Sequence, residues 1–205
     1  SRWDYDYTGQ NLEHLKDKVV GIIGTGASAV QIVPELAKTA KAVYVFQRTP
    51  SSIDIRDDWP TDPNWAPHLE PGWQSKRRSK VLAAVENSLE KRAAKGAVSP
   101  EDKLKTQENA NIDYMMRIHR RIDEVVDDKT TADALKPWYM FMCKRPCFHN
   151  EYLPSFNLPN VHLVDTEGKG ITEISSKGPV FKGHEYELDL LIYATGFEVQ
   201  QTGIY

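Results

Sequence analysis

Two cysteines in 205 residues are too few for a disulfide scaffold, and they suit a reducing cytoplasm, which is the expected location. Three residues separate Cys143 from Cys147, one more than in the usual paired motif. No second ligand pair follows, so even with His149 close by they read as unpaired thiols, with no metal expected. Long apolar runs are missing too: none approaches the roughly 18 residues needed to cross a bilayer, and the N-terminus is not a signal peptide. The net charge of −3 leaves no excess of either sign to attract nucleic acid or a membrane surface, so neither is an expected partner. There is no internal repeat, no low-complexity tract, no Ser/His/Asp arrangement and no carboxylate pair suited to acid–base chemistry. With 40% hydrophobic and 27% charged residues, the chain can bury the core of one good-sized domain, or of one domain with an inserted subdomain.

What is there begins with a glycine corner. Val19 to Ile23 is a short apolar run bounded by Asp17 and Lys18, and it reads as a buried strand. Gly24, Thr25, Gly26, Ala27, Ser28 and Ala29 follow. Gly24 permits a tight turn, Gly26 leaves no Cβ to block a pyrophosphate, and Ala29 is small enough for close helix–strand packing. A helix over Ala27 to Thr39 would turn its free N–H groups and positive dipole end toward phosphates. Set between a strand and a helix, the fingerprint predicts a dinucleotide.

The next strand, Ala42 to Phe46, leads into Gln47, Arg48, Thr49 and Pro50. An NAD-binding domain takes an acid about 20 residues past the glycines to bind the ribose hydroxyls. Arg48 stands here instead. A guanidinium suits a 2′-phosphate that a carboxylate would repel, so the expected cofactor is NADP(H).

Beyond this strand–helix–strand unit the character changes. Residues 50 to 74 carry Pro50, Pro60, Pro63, Pro67 and Pro71, a density that excludes a regular helix or central strand. Trp59, Trp65 and Trp73 between them are expected to pack the loop onto a surface. From Ser75 to about Lys136 the pattern is helical and reads as an insertion. Ser99 caps a helix beginning at Pro100, and Ile112, Met115, Ile118, Ile122 and Val125 form one apolar stripe. Lys76, Arg77, Arg78 and Lys80 read as a solvated face. The last third returns to strands at Val161–Val164, Ile171–Ile174, Val180–Phe181, Tyr186–Leu188 and Leu190–Tyr193. Glycines punctuate them as turns, which suggests a meander returning to the main sheet.

Five segments in order resemble one family, the flavin-dependent Baeyer–Villiger monooxygenases within the flavoprotein monooxygenases. They are Gly24–Ala29, Phe46-Gln-Arg-Thr-Pro50, Cys143-Lys-Arg-Pro146, Phe156 to Asp165, and Ala194-Thr-Gly-Phe-Glu198. Trp3 and Asp4 are similar to the tail of the family's FxGxxxHxxxW signature, so residues 1–17 read as a linker and 18–205 as an NADP-binding domain with its insertion at about 75–136. The resemblance implies an α/β, Rossmann-like fold with a parallel sheet, a helical insertion and a β-meander excursion. It also implies an FAD domain in the same full-length protein, with O2 and a small-molecule ketone as reactants and an ester or lactone as product. The 205 residues alone are expected to bind nucleotide and nothing more. On this reading Gly24, Thr25, Gly26, Ala27, Ser28, Gln31, Arg48, Thr49, Ala194, Thr195 and Gly196 bind the cofactor. Lys144 joins Arg48 at the 2′-phosphate, and Arg145 is the catalytic residue, its charge stabilising anionic oxygen species beside the flavin. The competing expectations are an N- or S-oxygenating flavin monooxygenase and a self-contained NADP(H)-binding module.

Overall fold

A computed structural model describes residues 4–65, 69–80, 82–83, 100–141 and 143–196. Trp3 of the expected signature tail, Pro67, the Ser99 cap and Phe197-Glu198 lie outside the described residues.

A four-residue helix, α1 (Tyr5–Thr8), opens the described chain, capped by the Asp4 side chain, which accepts from the Tyr7 N–H. Strand β1 (Val19–Ile23), helix α2 (Ala27–Thr39) and strand β2 (Ala42–Gln47) follow, with the first two bounded as the sequence predicts. The signals here are local: an apolar run, a glycine turn, and an amphipathic helix burying Ala29, Val30, Val33, Leu36 and Ala37. The C-terminal end of α2 is tied down by Asn160, whose Nδ2 donates to the Ala37 and Ala40 carbonyls at 3.0 Å each.

The main sheet is parallel, in the order β5 (Val161–Asp165), β2, β1, β9 (Leu190–Tyr193). With β1 flanked by β2 and β9, this is a Rossmann-type α/β fold. A second, two-residue parallel ladder joins β3 (Ile53–Asp54) to β4 (Cys147–Phe148). A three-stranded antiparallel excursion, β6 (Glu173–Ile174), β7 (Pro179–Phe181) and β8 (His184–Glu185), is the expected meander.

The chain divides into two compact units, one of residues 1–56 with 115–205 and one of residues 57–114. In the second unit residues 73–80 form a helix, α3, and Trp65 meets Trp73 edge-on at 4.9 Å. Its basic residues Lys76, Arg77, Arg78 and Lys80 are exposed, and Lys76 pairs with Glu70 at 2.8 Å. Helix α4 (Pro100–Val125) starts in this unit and continues into the first. There it is followed by α5 (Lys129–Leu135), capped by Asp128, and later by the short α6 (Tyr152–Ser155). Among the described residues no helix is long and apolar enough to cross a membrane.

After α4 a new helix starts at α5, where Asp128 accepts from the Thr131 N–H at 2.7 Å. Several sequence expectations are corrected. Ile112 is 55% exposed; the buried stripe of α4 begins at Met115 and continues through Ile118 and Ile122. The proline-rich stretch contains β3, and Trp59 is 73% exposed and not packed down. The strand expected at Tyr186–Leu188 is instead His184–Glu185, and the Ile171–Ile174 strand shrinks to its last two residues. Tyr186 and Leu188 are apolar for another reason: they cover the main sheet. Tyr186 packs edge-on to Phe46 at 5.2 Å and Tyr44 at 5.5 Å. Leu188 fills the space that a side chain at Gly21 would occupy.

Candidate functional site

The C-terminal ends of β1 and β9 meet at the glycine corner. Gly24 has φ +113°, and a Cβ there would run into the Ala194 carbonyl, so both backbone conformation and space demand glycine. Gly26 differs. Its φ of −77° suits any residue, and a Cβ on it would meet nothing within 4 Å. It is also the N-cap of α2 and offers no side chain to the helix's leading N–H groups. An uncapped helix start without a Cβ in the way is the chemistry that takes up an anion such as a phosphate.

Thr25 is buried, and its Oγ1 donates to the Thr49 carbonyl at 2.6 Å, which fastens the corner to the loop after β2. Ser51 returns the link, its Oγ donating to the Thr25 carbonyl at 2.5 Å. Ala27, Ser28 and Gln31 are exposed on the first turns of α2, and Gln31 Nε2 donates to the Ala27 carbonyl at 2.8 Å. Thr195 and Gly196 extend from β9 as exposed backbone, Gly196 with φ +100°. The expected residues at the glycine corner and the β9 end thus lie at the same, C-terminal end of two neighbouring parallel strands.

Arg48 leaves the end of β2 exposed, its aliphatic stem passing Gly170. Lys144 and Arg145 are also exposed, in the loop before β4. The ladder brings these segments together. Cys147 N–H donates to the Ser52 carbonyl at 2.9 Å and His149 N–H to the Asp54 carbonyl at 3.0 Å. Because β3 and β4 run parallel, the segments leading into them lie at the same end. Lys144 consequently has a lowered pKa, first through partial desolvation and second through the positive charge of Arg48. Its Nζ also lies 5.3 Å from the centre of the Tyr139 ring. Among the described residues no carboxylate pairs with either cation.

No protein-family model matches the chain. Over 97% of its length it is 47% identical to "Baeyer-Villiger monooxygenase ATR8" of Stachybotrys chlorohalonatus, covering 36% of that protein. Its fold matches the solved polycyclic ketone monooxygenase from the thermophilic fungus Thermothelomyces thermophila with a TM-score of 0.79. Identity there is 38%, over 96% of this chain and 36% of that one. Over nearly its whole length the chain thus matches a segment of Baeyer–Villiger monooxygenases. A further solved relative, OTEMO in complex with FAD and NADP, matches at TM-score 0.66 and 27% identity over 90% of this chain and 38% of that one. The chain therefore spans little more than a third of the length of the relatives it matches, 36% in the first case.

The structure adds residues around the site that sequence reasoning missed. Tyr139 receives the Ser52 N–H on its hydroxyl at 3.1 Å while its ring faces Lys144, and burial raises its pKa. Gln47, fully buried at the end of β2, donates from Nε2 to the Ala134 carbonyl at 2.8 Å and anchors α5 beneath Arg48's strand. Arg117 and Arg121 of α4 reach the ladder: Arg117 Nη2 donates to Asp54 Oδ2 at 2.6 Å, and Arg121 donates to the Ile53 and His149 carbonyls at 2.9 and 3.1 Å. Arginines on a helix otherwise read as solvated charges, so composition gave no signal for them. Of the two thiols, Cys143 is exposed, and Cys147 is buried with its Sγ 3.8 Å from the Arg145 carbonyl.

Proposed function

We propose that this chain is the NADPH-binding part of an FAD-dependent monooxygenase that inserts one oxygen of O2 into ketones to give esters or lactones. The observation that carries the reading is the open glycine corner, with Arg48 just past β2 on the segment leading into β3 and Lys144 on the segment leading into the parallel β4. The names of relatives support it: one is described as a Baeyer-Villiger monooxygenase, one as a polycyclic ketone monooxygenase, and one as a complex with FAD and NADP.

The residues present fit the nucleotide. The backbone of Gly24 to Ser28 and the start of α2 receive the diphosphate, with Gly26 giving it room. Arg48 and Lys144 receive the 2′-phosphate, the guanidinium as a two-pronged donor and the ammonium as a point charge. Thr25, Thr49 and Gln31 keep the corner and the first turn of α2 in shape, and Ala194 to Gly196 form the opposite wall. Arg145 holds a permanent positive charge toward the reacting atoms, where it stabilises negative charge developing on oxygen. When bound, NADPH supplies a hydride and FAD the chemistry that activates O2. The FAD domain of the same protein is the partner of this chain, and this chain's own work is to bind and orient the reductant.

Equilibrium titration with NADPH and NADH tests the reading. The protein should prefer NADPH, and Arg48→Ala should weaken NADPH binding by about 1.5–3 kcal/mol, the scale of a charge-assisted hydrogen bond, while leaving NADH unaffected. Equal affinity for the two nucleotides in the unaltered protein would overturn it.

A further inference from the structure

The cation pair depends on a very small piece of structure. β3 and β4 share a ladder of two residues, Ile53 with Cys147 and Asp54 with Phe148, and a pairing so short is marginal by itself. Arg48 stands on the segment leading into β3 and Lys144 on the segment leading into β4, so any slip in the ladder moves one cation against the other.

We propose that Arg121 is a positioning residue that fixes the spacing of Arg48 and Lys144 by locking β3 to β4. The inference rests on the 2′-phosphate reading given above. A single guanidinium bridges the strands: Nη1 donates to the Ile53 carbonyl of β3 at 2.9 Å, and Nη2 to the His149 carbonyl just past β4 at 3.1 Å. Both acceptors are main-chain atoms, so Arg121 fixes backbone and not merely side chains. The planar fork sets the separation of the carbonyls it engages, which a flexible ammonium cannot do.

Each end of this lock is anchored. Arg121 lies one turn beyond Arg117 on α4, and Arg117 reaches the buried Asp54 carboxylate of β3. Between Arg121 and its neighbouring turns, Ile118 and Ile122 are fully buried, so α4 is a rigid base at this point. On the other strand, His149 Nδ1 accepts the Glu151 and Tyr152 N–H groups at 3.1 and 3.2 Å, tying the residue to the start of α6, where Tyr152 and Leu153 are buried. His119, also on α4, meets the Pro137 carbonyl at 2.8 Å and so restrains the stretch that carries Tyr139 beneath Lys144. One helix thus grips three segments that converge on the cations. Arg121 itself is partly desolvated, which lowers its pKa against the opposing influence of Asp54, as expected of a guanidinium placed for its hydrogen bonds.

The experiment is a comparison of NADPH and NADH affinity, by equilibrium titration, in the intact protein carrying this chain and in its Arg121→Lys, Arg121→Gln and Arg48→Ala variants, with the thermal midpoint of each. Arg121→Lys and Arg121→Gln are expected to lower NADPH affinity about tenfold, the worth of one or two lost hydrogen bonds, and to leave NADH affinity unchanged. The lysine variant retains charge and most of the packing, so it keeps the test valid should the glutamine variant unfold. Loss of NADPH and NADH affinity in parallel, or no loss of either in a folded variant, overturns the positioning role. If Arg48→Ala leaves NADPH affinity intact, the 2′-phosphate reading itself fails, and that outcome is distinguishable because it does not involve Arg121.

Discussion

The carbonyl of Ala194 occupies the space into which a side chain at Gly24 would project. The turn after β1 and the end of β9 are therefore packed backbone to backbone. Gly26, two residues on, faces open space. One glycine is required by the fold, and the other is not.

That difference predicts opposite phenotypes. Gly24→Ala must combine a positive φ with a backbone clash, and should cost about 2–4 kcal/mol of stability in denaturant unfolding. Gly26→Ala should cost less than about 1 kcal/mol, yet it should weaken NADPH and NADH alike, since it intrudes on the diphosphate common to both. A Gly26→Ala protein that binds both nucleotides normally would refute the proposed diphosphate site.

Lys144 should give NADPH binding an alkaline limit. Its pKa is lowered in the free protein by desolvation and by Arg48, and a bound phosphate favours the charged form, so the pKa rises on binding. Affinity is then complete below the free-state pKa and is lost as pH rises from there through the higher bound-state pKa, the decline setting in at a lower pH than for an ordinary lysine. Isothermal titration across the alkaline range checks this. Lys144→Arg, which does not titrate there, should remove the decline.

The two thiols should react unequally. Cys147 is buried, and burial raises its pKa against the weaker opposing pull of Arg145. Cys143 is exposed. Brief treatment with iodoacetamide near neutral pH, followed by mass spectrometry, should label Cys143 in the native protein and both residues only after unfolding. Equal labelling in the native state would contradict the packing around β4.

Asn160 should matter to α2 as a cap from outside the helix. It donates to the Ala37 and Ala40 carbonyls, and Asn160→Ala leaves both without that donor. A loss of about 1–3 kcal/mol is expected in thermal or denaturant unfolding, with the ratio of NADPH to NADH affinity unchanged because the corner lies at the other end of α2.

The parts that were legible in the sequence share a property: their determinants are neighbours in the chain. β1 and α2 fall where the apolar run, the glycine turn and the amphipathic period place them. Arg48 could be read because it ends the next strand. Where reading failed, an apolar residue served a distant surface. Tyr186 and Leu188 look like strand residues but cover the sheet at Phe46 and Gly21, while Ile112 fits the helical period yet lies beyond the buried part of α4. The break before α5 is carried by a single capping aspartate, Asp128.

By itself, the sequence determined the glycine corner, the helix that rises from it and the arginine at the end of β2, since these depend on steric rules and hydrogen bonds within one strand–helix–strand unit. It could supply Lys144, but not its position. Only tertiary structure decided that, through a two-residue parallel ladder and the arginines of α4 that grip it. The reason is physical. Bringing like charges together opposes folding, so their proximity is imposed by backbone pairing and packing between segments far apart in the chain, which no local pattern records.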